Sequence, residues 1–194
     1  RKPVRNTKHT NNSKPNTMRI IETKVYQFDE LDIQTQEKVI ENNRTINVDS
    51  DFWYQCELDN FKHGLKIKVN EFDIYRREIN ITIEDSFDTA QSIVDFFGEE
   101  SSIVCSAKIF IKDRDALVKK YGEGNEKDGY SVKEECWSEY DEEIEYLEEE
   151  FRKEIAVEIL SMLTLDYEYQ TSDDGIKETI IANEYEFTEK GKLI

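Results

Sequence analysis

From Ser131 to Leu165 the chain runs about 35 residues without a glycine or a proline. As a helix rising 1.5 Å per residue, that stretch is roughly 50 Å long. The rest of the fold must then pack along one rod. Ser131-Val132-Lys133-Glu134 has the spacing of a capping box, which predicts a helix over about 131–165. Trp137, Tyr140, Ile144, Leu147 and Phe151 recur in steps of three and four, an a/d seam. Such a seam has to lie on something apolar, either the rest of this chain or a second copy. Opposite it stand Glu135, Glu139, Glu142, Glu145 and Glu149, with Tyr146 among them. Asp141, Glu143, Glu148 and Glu150 widen the band.

Glu134 to Glu150 holds ten acids in seventeen residues and no base. That is about one charge per 2.5 Å of helix, against one per ~1.7 Å of duplex DNA axis. Acidic pairs at i and i+4 weaken a helix by ~0.2–0.5 kcal/mol each, an amount that packing of the seam offsets. A merely solvated face usually interleaves lysine with glutamate. Its lack here favours a surface for a basic partner.

The whole chain repeats the bias, with 44 acids against 26 bases and a formal net charge of −18. Such a surface repels phosphate and anionic lipid heads. Direct nucleic-acid binding and peripheral membrane attachment are disfavoured. No run approaches the ~20 apolar residues of a membrane span. Residues 1–17 carry five bases, both prolines and no acid, and read as a disordered basic tail ahead of a natural start at Met18. Without it 21 bases face 44 acids, a net charge near −23. The remainder, 18–194, has the length of a single acidic domain.

Arg19 to Phe28 alternates apolar and polar residues as a strand does. Asp29 or Asp32 can cap a helix through about Asn43, with Leu31, Val39 and Ile40 inward. Asp49 or Ser50 can cap a second helix ending at Gly64. Leu65–Tyr75 and Ile79–Glu84 predict a hairpin, with Ile79, Ile81 and Ile83 on its dry face. Ser86 or Asp88 opens a third helix. Ser101 to Tyr121 fits a fourth, with Ile109-Phe110-Ile111 open to a short strand instead. Gly122–Gly129 reads as a loop, and Asp166 to Phe187 as a β-hairpin around Asp173-Asp174-Gly175. The sum is an α+β fold: an antiparallel sheet built from hairpins 65–84 and 166–188, joined by strand 19–28 and packed against several helices.

Little chemistry emerges. Cys56, Cys105 and Cys136 show neither a disulfide framework nor zinc spacing. His63 falls where a helix ends and suits the dipole there better than it suits catalysis. Asp113-x-Asp115 starts like a calcium loop, but Leu117 and Val118 occupy ligand and glycine places. No catalytic residue, cofactor or metal site is expected, although a carboxylate- and metal-dependent enzyme stays open.

Two stretches carry a resemblance. One is Thr23-Lys24-Val25-Tyr26-Gln27-Phe28-Asp29-Glu30-Leu31 with the following Gln36-Glu37-Lys38-Val39-Ile40-Glu41-Asn42; the other is the ending from Ala182 to Leu193. Together they resemble small acidic proteins of bacteriophages and mobile elements, uncharacterised or called antitoxin-like. The resemblance implies a phage-encoded protein in the bacterial cytoplasm, a setting that includes anti-CRISPR inhibitors which mimic nucleic acid. It supplies no site residues. The expected function is therefore inhibition of a nucleic-acid-binding host complex, a CRISPR effector, through Glu135, Glu139, Glu142, Glu145, Tyr146 and Glu149. An antitoxin that neutralises a basic toxin is the alternative, and a homodimer through the seam stays open.

Overall fold

The computed structural model describes residues 24–98, 101–125, 129–132 and 136–194. A two-residue strand, β1 (Tyr26–Gln27), leads into a 3-10 turn at Phe28–Glu30. Of the strand expected over 19–28, Tyr26–Gln27 is a strand and Phe28 begins the 3-10 turn, while 19–23 lie outside the described residues. Helix α1 (Ile33–Asn42) starts where the Asp32 carboxylate accepts from the Thr35 amide at 3.0 Å and from its hydroxyl at 2.8 Å. Those two bonds hold the Asp32 carboxyl below its usual pKa, the hydroxyl first. Helix α2 (Phe52–Gly64) follows, with Asp51 at its N-cap position and no side-chain cap from Asp49 or Ser50. His63 lies exposed in its last turn.

The hairpin predicted from isoleucine alternation is present as β2 (Ile67–Asp73) and β3 (Glu78–Ile83). They pair antiparallel with a bulge between Val69 and Glu71. Helix α3 (Ser86–Phe96) opens at Ser86, as expected, and is capped by Asp85, which accepts from the Asp88 amide at 2.8 Å. Helix α4 (Ser102–Tyr121) absorbs Ile109-Phe110-Ile111, so no strand forms there. Asp113 and Asp115 stand on this helix rather than in a loop.

Gly122–Gly129 is not simply a loop. β4 (Gly122–Asn125) pairs antiparallel with β5 (Gly129–Val132). The sequence hides this hairpin because the pairing is backbone-made, with no apolar alternation in Gly-Glu-Gly-Asn. The same pairing overturns the capping box. Ser131 sits opposite Glu123 in the ladder, so it cannot cap a helix. Helix α5 instead runs Trp137–Gln170, starting later and ending later than 131–165.

The largest correction lies at the C-terminus. Asp166–Gln170 is the end of α5, and Asp173-Asp174-Gly175 is the first turn of α6 (Asp173–Ala182). Ser172 caps α6, its hydroxyl accepting from the Gly175 amide at 3.1 Å, and two acids in the first turn suit the helix N-terminus. Gly175 is required by close packing, not by a turn. A Cβ there would stand 2.3 Å from the Tyr169 carbonyl oxygen. Ile176 and Ile180, read as strand residues, are one helical turn apart and both fully buried. β6 (Glu186–Phe187) then pairs antiparallel with β1 as a short ladder. The fold is α+β, but its sheets are three separate two-stranded pairs among the described residues, not one curved sheet.

Two apolar clusters hold these elements. The larger gathers Phe61, Ile67, Ile81, Ile93, Ile103, Phe110, Phe151, Ile155, Ile159 and Leu163, placing α2, the β2–β3 hairpin, α3, α4 and α5 around one core. The smaller joins Phe28, Leu31 and Val39 to Ile176, Ile180 and Phe187. Gly191, at φ 77°, touches this second cluster so closely that a Cβ would meet Val39 at 2.8 Å. Polar contacts tie it to the α5–α6 elbow. Arg44 donates to the Thr171 carbonyl at 3.2 Å and pairs with Asp173, and Asn47 donates to the Gln170 carbonyl at 3.0 Å.

Candidate functional site: the outward face of the long helix

At 34 residues α5 is about 50 Å long. Its seam packs inside the chain. Phe151 is buried and stacks on Phe110 with ring centres 4.3 Å apart, and Tyr140 meets Tyr121 edge-on. Ile144 and Leu147 are half-buried, whereas Trp137 stays half exposed at the helix start. Ser102 bonds Glu158 at 2.5 Å and Lys120 bonds Glu143 at 2.7 Å, so α4 and α5 run antiparallel along their length. That settles which side of α5 faces outward.

Glu139, Glu142, Glu145 and Tyr146 all lie exposed on that side, with Tyr146 at 68%. Glu135 lies outside the described residues. Glu149 is present on the same side but is not a free charge. It pairs with Arg152 and, at 3.6 Å, with Lys153. The Arg152 hydrogen bond, first, and then the nearby positive charges hold the Glu149 carboxyl below its usual pKa.

Among the flanking acids the environments differ. Glu143 accepts from Lys120 and from the Tyr121 hydroxyl at 2.6 Å, and both bonds lower its pKa. Glu150 pairs with Lys153 at 2.9 Å. Glu148 behaves oppositely. Partial loss of solvent, first, and the nearby Asp85 carboxylate, second, raise its pKa, with Arg114 pulling the other way. Asp141 is exposed.

The sequence therefore overstates the density of free charge. Of the eight acids between Trp137 and Glu150, three have a basic side chain within salt-bridge distance: Glu143, Glu149 and Glu150. Five remain unpaired among the described residues, about one per 4 Å over ~20 Å of helix, well short of a DNA duplex. Lys120, which neutralises Glu143 from another helix, and Tyr121, which donates a hydrogen bond to it, carry no signal in the sequence of α5. Arg152 and Lys153 do, since i+3 and i+4 partners share a helix face.

Chemically the face can attract cations and cationic side chains and can offer Tyr146 as an aromatic contact. Among the described residues, no group of three or more His, Cys, Asp or Glu side chains is placed to hold a metal ion. The three cysteines are free. Among the same residues no helix is long and apolar enough to cross a membrane. Comparison with protein-family models, with curated proteins and with solved structures finds no match to this chain.

Proposed function

We propose that the protein is an anti-defence inhibitor of the phage type, acting in the bacterial cytoplasm by occupying a basic groove of a nucleic-acid-binding complex, a CRISPR effector. The observation that carries this reading is a run of exposed acids, Glu139, Asp141, Glu142 and Glu145, unpaired among the described residues and set around the exposed ring of Tyr146. Acids so placed steer a basic partner at long range and are screened by salt. Tyr146 supplies the kind of aromatic anchor that dominates interface energetics once desolvated. Inhibition would be stoichiometric, because the face offers contacts and charge rather than a reacting group.

Glu139→Lys, Glu142→Lys and Glu145→Lys together test it. All three side chains are exposed, so the variant should fold with unchanged circular dichroism and at least the original melting temperature. Glu149 is better left out, because its reversal would also break the Arg152 and Lys153 pairs. In a host-lysate pull-down and a nucleic-acid competition assay on the captured complex, the triple variant should lose capture and inhibition. Tyr146→Ala should weaken both at any salt concentration. Undiminished inhibition by the triple variant would overturn the proposal.

A further inference from the structure

Beyond Glu150 the outward side of α5 changes character. Continuing in helical steps of three and four, it passes Lys153, Val157, Leu160, Thr164 and Glu168. Val157 and Leu165 are 65% and 63% exposed, whereas Leu160 is buried, only its edge reaching the floor of a groove beside Arg77. Val157 and Leu165 leave two large apolar side chains bare along one edge of this groove.

We infer that a second copy of this chain covers this groove, α5 against α5, antiparallel about a two-fold axis near Ser161. The spacing is its own complement. With the axis between residues 160 and 161, Leu160 faces Ser161, Val157 faces Thr164, and Lys153, which pairs with Glu149 and Glu150 within its own chain, comes level with Glu168 of the second copy and would exchange those exposed pairs for it, each contact occurring twice, as in an isologous interface. Ser161, small and exposed at the crossing point, lets the two helices approach. Leu165 stands level with Ala156, one residue from Val157 of the other copy, so the two exposed apolar side chains of the groove come beside each other. Charge also selects the direction. A parallel pair would set the two acidic halves side by side. The antiparallel pair puts their centres about 50 Å apart, several times the ~8 Å screening length at physiological salt. A single helix pair covers less than the ~800 Å² per partner of a standard interface, so the dimer dissociates on dilution. It uses none of the acids around Tyr146 and leaves both acidic faces open.

Sedimentation equilibrium of the full chain tests this. The mass should rise with concentration from 23 kDa toward twice that value. Val157→Glu with Leu165→Glu should hold the chain monomeric with unchanged circular dichroism, both side chains being exposed. Lys153→Glu alone should shift the equilibrium toward monomer, and adding Glu168→Lys should restore the dimer, an outcome only the antiparallel register gives. With Cys56, Cys105 and Cys136 replaced by serine, Ser161→Cys should cross-link to a covalent dimer on mild oxidation. A chain monomeric into the millimolar range overturns the inference. So does a dimer indifferent to the glutamates. Protection of the Val157–Leu165 amides from exchange that needs residues 1–23 in a monomer would give the groove to that segment instead, and overturns it equally. The triple lysine variant of the acidic face should dimerise as the original does, so the two proposals fail separately.

Discussion

The two halves of α5 belong to one helix and meet different surroundings. From Trp137 to Glu150 the inward residues are mostly half-buried and the outward ones charged. From Phe151 onward the inward residues Phe151, Ile155, Ile159 and Leu163 are buried, the last three almost completely, in the centre of the main core. The second half is fixed by the hydrophobic effect on one side, with bare apolar groups on the other. The first half is held by less burial and by contacts at its edge, such as Glu143 with Lys120 and Tyr121. A helix can therefore carry eight acids in fourteen residues because its other half anchors it. Isolated, the acidic turns would repel one another.

The comparison can be broken most directly in the core. Ile155→Ala or Ile159→Ala should cost about 2–5 kcal/mol, the transfer and cavity terms of a buried isoleucine. Ile144→Ala should cost about half as much, because its site is half-buried to begin with. Urea denaturation of the three variants measures the contrast, and equal losses would show that the acidic half is anchored as firmly as the other.

Next in size is the far end of the helix. Gly175→Ala brings a methyl group against the Tyr169 carbonyl, and overpacking of this kind costs about 1–3 kcal/mol. It should loosen the α5–α6 elbow, visible as faster amide exchange over 169–180, and leave the acidic half unchanged.

The smallest effects lie in the acidic half and depend on pH and salt. A carboxyl whose native pKa is raised binds its proton more tightly when folded, so it disfavours folding at neutral pH, and the penalty fades as pH falls through the raised value. Glu148→Gln should therefore raise the melting temperature at pH 7 by a small amount, with the gain vanishing near pH 4. Glu143 has the opposite sign. Its depressed pKa gives stability that is complete above the ordinary carboxylate value of 4.5 and is lost as pH falls through the lower native one. Lys120→Ala should remove that contribution, with a melting-temperature loss that shrinks as salt is added, since the pair is exposed.

Much of the fold is legible in the chain, for local reasons. The Asp32 cap and the isoleucine alternation of β3 each act within a few residues, so their sequence signals survive into the structure. The acidic face and Tyr146 are legible for the same reason, because helical periodicity alone places them outward. What misled was chemistry with two uses. Asp173-Asp174-Gly175 has turn composition, yet it opens a helix, because Ser172 caps it and Gly175 avoids the Tyr169 carbonyl. Ser131 has cap spacing, yet it is committed to a strand pair whose partner lies eight residues upstream.

The sequence by itself determined that a long, unbroken helix exists, that it carries an apolar seam, and that its other face is acidic. Those properties follow from residue order within a few turns. Only the tertiary structure decided which acids remain free. Lys120 and Tyr121 reach Glu143 from α4, and partial burial, first, with the Asp85 carboxylate at the N-cap of α3, second, acts on Glu148. It also decided where the seam packs and which outward apolar residues stay bare. Charge and exposure depend on neighbours brought together by packing across the chain, and local order does not name those neighbours.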